Sequence, residues 1–372
     1  MQRPSDVIVV GAGIVGCAVA YELARRGASV EIIDERPVGM GATQASAGVL
    51  APYIEAHAGS PLLEMTVRSL GLYDDFVATV ADRSGAVIPY RRTGTIDVAA
   101  NERDLERLQA TARFVQGRRV PALLLDGPAA RAEEPLASDD ILGALLIEEH
   151  GFVGANELTR ALVTAARRAG AQLVEPSCVR RIYHRDGDAI VETDRGTLTS
   201  NAVVLAAGSW SAKVGIDGVR ASVPVRPVRG QLLYLGWTGP ALRRVIWSSH
   251  CYIVPWDDGT VLVGATSEEA GFDERLTVSG VHDLLQAACD IVPHAWMATF
   301  RGGRVGLRPG TADDLPLIGP STVMPALVYA TGHYRNGVLL APLTAQLVAD
   351  AMLEDRMDPM LECVNPGRFG PL

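Results

Sequence analysis

The 372 residues are 48% hydrophobic and 21% charged and carry a formal net charge of −9, a balance that supplies core for two or three domain-sized units. A chain this acidic lacks the basic face that phosphate neutralisation needs, which excludes nucleic acid as a partner. The five cysteines and seven histidines show no CxxC, HExxH or HxxxH spacing, which excludes a metal centre and suits a reducing, cytoplasmic compartment.

The run Val7 to Val10 is continuously apolar and β-branched, as a strand buried on both faces is. It is too short for a signal-peptide core, and no apolar run reaches the roughly 18 residues of a membrane span. Residues 14–26 have a helical period that stops at Gly27, and Val30 to Ile33 form a second buried strand ending at Asp34. Together these make a right-handed βαβ unit. A loop of small residues follows from Gly39 to Gly48, then a helix over about 61–82. Residues 94–100 alternate as a strand does, and 101–115 form an amphipathic helix capped by Asn101. A helix opens at Asn156-Glu157 and runs to Gly170. Two hairpins, turning at Asp186-Gly187 and Arg195-Gly196, lead into an apolar strand from Ala202 to Ala206. From 223 to 266 the pattern is antiparallel, with a turn at Asp258-Gly259. The chain closes with a strand over 327–331, a glycine turn and a helix over about 337–353. Parallel units at both ends around antiparallel strands predict two interleaved domains. One takes residues 1–84, 142–222 and 302–372, and the other 85–141 and 223–301. Neither an internal repeat nor a linker is visible.

Gly11-Ala12-Gly13-Ile14-Val15-Gly16 is a GxGxxG placed after a strand and at the start of a helix. Gly11 permits the tight turn, Gly13 lets a pyrophosphate approach the backbone, and Gly16 lets helix and strand pack closely. The helix start offers free N–H groups and a positive dipole end to phosphates. Asp34 follows Gly16 by 18 positions, where a carboxylate accepts the ribose hydroxyls. Asp34 also disfavours a 2′-phosphate and hence NADP, but the motif leaves FAD and NAD open. Two later segments favour flavin. Val203 to Gly208 is a buried strand ending in the small residues Ala207 and Gly208, a second close pass of backbone. Tyr329 to Val338 is a strand, a glycine turn and a helix start that would stabilise the negative charge of a reduced flavin ring.

The chain resembles the D-amino-acid oxidase superfamily over essentially its whole length, and within it the glycine oxidases of thiamin biosynthesis. Three blocks carry the resemblance beyond the N-terminal fingerprint: His250-Cys251-Tyr252-Ile253-Val254-Pro255; Gly306-Leu307-Arg308-Pro309-Gly310-Thr311; and Gly332-His333-Tyr334-Arg335-Asn336-Gly337. The loop Thr43-Gln44-Ala45-Ser46-Ala47-Gly48 is similar to the family's flavin-contacting segment. The resemblance implies an α/β fold in which a doubly wound, Rossmann-like FAD domain is interleaved with an antiparallel-sheet substrate domain of α+β type. Non-covalent FAD would touch Gly11, Gly13, Ile14, Val15, Gly16 and Asp34, then Thr43, Gln44, Ser46, Ala47 and Gly48. Val179, Ala207 and Gly208 would follow, and finally the run Gly332, His333, Tyr334, Arg335, Asn336, Gly337, Val338 and Leu339. No cysteine lies in Leu307 to Pro309, where related sarcosine oxidases link their flavin.

The resemblance also assigns chemistry. A guanidinium fork binds a carboxylate bidentately, the role implied for Arg308. Tyr252 would donate its phenol to the same carboxylate, and Arg335 would add a second positive charge. Read alone, an arginine before Pro-Gly is as readily a surface turn residue, and a tyrosine in an apolar strand is as readily core. His250 and His333 are left out of the catalytic set, because hydride transfer from a neutral amine needs mainly orientation. Cys251 reads as a small core residue. Two departures bear on the substrate: Tyr334 stands where phenylalanine is commoner, and Phe300 to Arg304 lacks the aromatic expected near Gly306. The implied reaction is oxidative deamination of a small amino acid, glycine first, with sarcosine, D-alanine and D-proline open and O2 as acceptor. A dehydrogenase using a quinone or protein acceptor, a non-catalytic FAD-binding subunit and a homo-oligomer also stay open.

Overall fold

The computed structural model describes residues 5–55, 60–220 and 222–372, so the first four residues of the expected 1–84 segment lie outside the described residues. The strand Ser5–Val10 is flanked by Val30–Ile33 on one side and Gly196–Leu205 on the other, all parallel. Gln172–Val174 and Leu327–Thr331 extend this parallel core at its two ends. Its residues alternate between two covers. Val7 and Val9 pack beneath helices, whereas Ile8 and Val10 face the opposite cluster. Both faces are therefore dry, which is why the strand reads as an unbroken apolar run.

The helices Ile14–Arg25, Pro61–Ser84, Ala155–Arg168 and Gly337–Leu353 pack against one another on one face. Among the described residues the other face carries no long helix. It is covered by the hairpin strands Val179–Arg185 and Asp188–Thr193 and by residues such as Val214, Val223 and Leu372. The doubly wound expectation is thus corrected to helices on a single face, because Ile182 and Val191 bury the second face in their place. The second hairpin also turns one residue earlier than expected, at Asp194-Arg195, and its return strand continues unbroken into the buried Gly196–Leu205 strand.

A second sheet runs in the order Thr299–Gly310, Arg226–Gly236, Thr260–Gly264, Tyr252–Pro255, Val245–Trp247, Thr95–Ala99, Gly143–Ile147 and Ala122–Asp126. All its pairings are antiparallel except that of Val245–Trp247 with Thr95–Ala99. Leu233, Leu235, Ile253 and Val263 point to the face covered by the helix Val278–Ile291. The opposite face looks towards the parallel sheet. Two expected boundaries shift accordingly. Residues 143–147 and 302–310 hydrogen-bond within the antiparallel sheet, so the crossings at 142 and 302 fall a strand too early. The Asn101 cap is present, with its side chain accepting the Asp104 N–H at 2.9 Å.

Candidate active site

A cavity of about 610 Å³ lies between the two sheets. At one end it is lined by the start of the Ile14–Arg25 helix and by Asp34. The turn before that helix is glycine for two packing reasons. Gly11 has φ +112, and a Cβ there would meet the Ala206 carbonyl oxygen at 2.4 Å. A Cβ on Gly16 would lie 1.9 Å from the Gly11 carbonyl oxygen. Gly13 differs, because its Cβ would meet only the Thr43 hydroxyl, at 3.6 Å. Protein packing does not demand glycine at 13; the side chain would occupy the cavity, where a ligand's phosphates approach the helix start. The Thr43 hydroxyl also accepts the Ile14 N–H at 3.1 Å, supplying the cap that Gly13 cannot.

Asp34 is held by two backbone donors. Its Oδ2 accepts the Ala12 N–H at 2.6 Å and its Oδ1 the Arg36 N–H at 2.8 Å. Burial pushes its carboxyl up, and the N–H bonds from Ala12 and Arg36 pull against that shift. Each oxygen keeps acceptor capacity towards the cavity, as ribose hydroxyls require. These residues fit a dinucleotide.

At the other end, the antiparallel sheet presents one face. Registry places Arg308 opposite Val228, and Gly264 between Tyr252 and Leu232. By strand alternation Arg308, Gly230, Gly264 and Tyr252 share that face. The two glycines make room: a Cβ on Gly230 would lie 2.4 Å from the Arg308 guanidinium carbon, and one on Gly264 2.5 Å from the Tyr252 hydroxyl. Both side chains therefore lie flat over bare backbone. Trp247, opposite Tyr252, packs beside it with ring centroids 4.9 Å apart and the planes tilted by 31°. Arg308 Nη1 donates to the Thr266 carbonyl at 2.8 Å, and no ion pair engages this guanidinium among the described residues. The only lining carboxylates among the described residues are Asp34 and Glu35, at the far end. This end is positive and, among the described residues, lacks a carboxylate.

His333 is buried and pairs with the Thr344 hydroxyl at 3.0 Å, and burial lowers its pKa to about 3. It is a neutral imidazole. His250 is exposed on the cavity wall. Burial pushes the Cys251 thiol up to about 12, which keeps it protonated and unreactive.

Arg308, Tyr252 and Arg335 all line the cavity, as do nearly all the expected cofactor contacts: Gly11, Gly13, Ile14, Val15, Asp34, Thr43, Ser46, Ala47, Gly48, Val179, Ala207, Gly208, His333, Tyr334, Asn336, Gly337, Val338 and Leu339. Three expected contacts do not. Gly16 packs on Gly11. Gln44 turns away to donate to the Val305 carbonyl at 3.3 Å. Gly332, at φ +75, has its Cβ position 2.9 Å from Thr311 and serves the turn. Arg335 sits exposed at the cavity edge, its guanidinium 5.3 Å from the Tyr334 ring. Sequence reasoning missed Trp247, Trp210, Lys213 and Arg36 as lining residues. It also missed Gly230 and Gly264, although glycine inside a strand pattern is the mark of a close approach. In place of an aromatic near Gly306, the structure packs Ala45, whose Cβ is 2.9 Å from where a Gly306 side chain would start.

A glycine-rich βαβ turn, a buried carboxylate beside it and a cationic second sheet closing one cavity fit a dinucleotide-dependent oxidoreductase. Residues 6–351 match the family described as FAD dependent oxidoreductase, and the chain belongs to it. FAD is its cofactor and the chain is an FAD-dependent oxidoreductase. It is 36% identical over 352 residues to the glycine oxidase of Geobacillus kaustophilus, covering 94% of this chain and 93% of that protein. The crystal structure of glycine oxidase from the same organism superposes with a TM-score of 0.95 at 34% identity, over 99% of each chain. The Bifunctional protein ThiO/ThiG of Nostoc sp. is 33% identical over 361 residues, 96% of this chain, which spans 54% of that protein's length. No described helix is long and apolar enough to cross a membrane.

Proposed function

We propose that the protein oxidises a small amino acid, glycine foremost, to the imine, which water hydrolyses to the 2-oxo acid and ammonia, while O2 is reduced to H2O2. The observation that carries this is the pair Arg308 and Tyr252, laid over Gly230 and Gly264 at the carboxylate-free end of the FAD cavity. FAD, when bound, accepts the electron pair that leaves with the substrate's Cα hydrogen.

Arg308 grips the carboxylate through its fork, and Tyr252 donates its phenol to a carboxylate oxygen. Arg335 adds positive charge at the cavity edge. Holding the carboxylate this way orients Cα, and orientation supplies much of the barrier reduction such a transfer needs. No base is assigned to the protein: among the described residues no carboxylate lines this end, burial lowers His333 to about 3, where it is too weakly basic, and Cys251 keeps its proton. The exposed His250 is not required, because hydride transfer from a neutral amine needs mainly orientation. The amine must therefore arrive neutral, and the reductive rate should rise with pH through one ionisation. The similarity to glycine oxidases and to ThiO/ThiG supports glycine and a place in thiamin biosynthesis. Oxygen uptake by the purified holoprotein tests the reading, with glycine, sarcosine, D-alanine and D-proline as substrates. Uptake matched by H2O2 and 2-oxo acid is expected. Turnover with a quinone but not O2 would make it a dehydrogenase, and no turnover with any of them would make it a subunit of a larger assembly.

A further inference from the structure

If Arg308 binds the substrate carboxylate, something must aim it. Its guanidinium lies over a glycine and has no carboxylate partner among the described residues, so its direction depends on the Thr266 carbonyl that Nη1 reaches at 2.8 Å. Thr266 comes two residues after the Thr260–Gly264 strand ends, where backbone pairing thins to its N–H bond to the Gln231 carbonyl at 3.3 Å and the bridge between Arg229 and Glu268. A side-chain network reinforces that pairing. The Thr266 hydroxyl accepts the Gln231 backbone N–H at 3.0 Å and donates to Glu268 Oε1 at 2.5 Å.

Glu268 is itself anchored from behind. Its Oε1 also accepts from Gln231 Nε2 at 2.7 Å, and its Oε2 accepts from Arg229 at 2.5 and 3.2 Å. Arg229 is 7% exposed and Gln231 fully buried. Gln231 continues the chain of bonds to Thr277, the cap of the Val278–Ile291 helix, accepting its N–H at 2.9 Å and donating to its hydroxyl at 2.8 Å. Burial opposes ionisation of Glu268, but the bonds from Arg229, Thr266 and Gln231 outweigh it and hold the carboxyl below its ordinary range. Arg229 and Gln231 alternate with Gly230 and point to the opposite face of the sheet. Glu268, bonded to both, is thus tied up on that side.

We propose that Thr266 and Glu268 are positioning residues for Arg308: they hold, from the far face of the sheet, the carbonyl that aims its guanidinium at the substrate carboxylate. The proposal rests on the reading of Arg308 as the carboxylate ligand.

The test is acetate binding to the holoprotein, followed by the change in flavin absorbance, in Thr266→Val, Thr266→Ser, Glu268→Gln and Arg308→Ala. Losing one such bond corresponds to a weakening of about 3- to 10-fold. That loss is expected for Thr266→Val, with Thr266→Ser restoring affinity to within about twofold. Glu268→Gln should weaken acetate in the same direction. In turnover these variants should raise KM while kcat and the FAD dissociation constant hold, a split that general loosening of the fold would not produce. If Thr266→Val and Glu268→Gln both bind acetate as the parent does while Arg308→Ala does not, the positioning role is overturned and the Arg308 reading survives. Equal loss in the serine and valine variants would also overturn it. Unchanged binding in Arg308→Ala would remove the site reading and this proposal with it.

Discussion

At the scale of single residues, the site depends as much on missing side chains as on those present. Gly230→Ala would place a Cβ 2.4 Å from the Arg308 guanidinium. The obstructed atom is the far end of a flexible side chain, so the fold should survive while the fork is displaced. Its KM should therefore rise as in Arg308→Ala, with the flavin spectrum unchanged. Arg308→Ala itself should raise KM about 10- to 100-fold, the cost of a charge-assisted bond, and Arg308→Lys should recover only part, since an ammonium cannot reproduce the fork. Steady-state kinetics on the three variants checks both statements. Two buried histidines make a separate prediction. Burial lowers His150 and His333 to about 3 from an ordinary 6.5. Above pH 6.5 folded and unfolded states are both neutral at these positions. As pH falls below that, the unfolded chain takes up protons that the folded chain refuses. Stability should then drop by about 1.4 kcal/mol per pH unit for each histidine. Urea titrations between about pH 6.5 and 4.5 should show this slope, and His333→Asn should remove about half of the histidine contribution.

At the scale of elements, the three glycines of the first turn should separate by experiment. Gly11→Ala and Gly16→Ala push a Cβ into backbone carbonyls and should destabilise the Ile14–Arg25 helix against its strand. Gly13→Ala meets nothing closer than 3.6 Å and should fold normally while losing FAD affinity. Thermal melts of the apoproteins together with FAD titration would distinguish these outcomes. This turn was legible in the sequence because each glycine's reason is local, set within one βαβ unit. The same holds for the 327–331 strand and the 337–353 helix, whose apolar periods are unbroken. The Thr299–Gly310 strand was not legible as an element, although Arg308 within it was. It contains arginines and glycines where a strand pattern would alternate, and among the described residues it is an edge strand paired only with Arg226–Gly236. Trp247 was missed because its strand, Val245–Trp247, is three residues long and gains meaning only from Tyr252 across the hairpin. The anchoring of Arg308 through Thr266 was invisible for the same reason: it joins residues distant in sequence through a carbonyl, which carries no residue signature.

At the scale of the whole molecule, the cavity that fits the cofactor lies between two sheets that the chain enters and leaves repeatedly, so FAD binding there should stabilise the molecule globally. Loading with FAD should raise the melting temperature in a concentration-dependent way, since only the folded chain binds it. The cavity wall at Leu307, Arg308 and Pro309 offers no thiol, so acid precipitation should release yellow flavin into the supernatant, and colour retained in the pellet would show a covalent link. The central claim, that this FAD cavity oxidises a small amino acid gripped by its carboxylate, is tested most directly by mixing the holoprotein with glycine without oxygen and following the flavin absorbance. The account predicts that glycine bleaches the flavin, more slowly when its Cα carries deuterium, and that admitting O2 restores the colour with formation of H2O2. A flavin that stays oxidised with glycine, sarcosine, D-alanine and D-proline alike would contradict it.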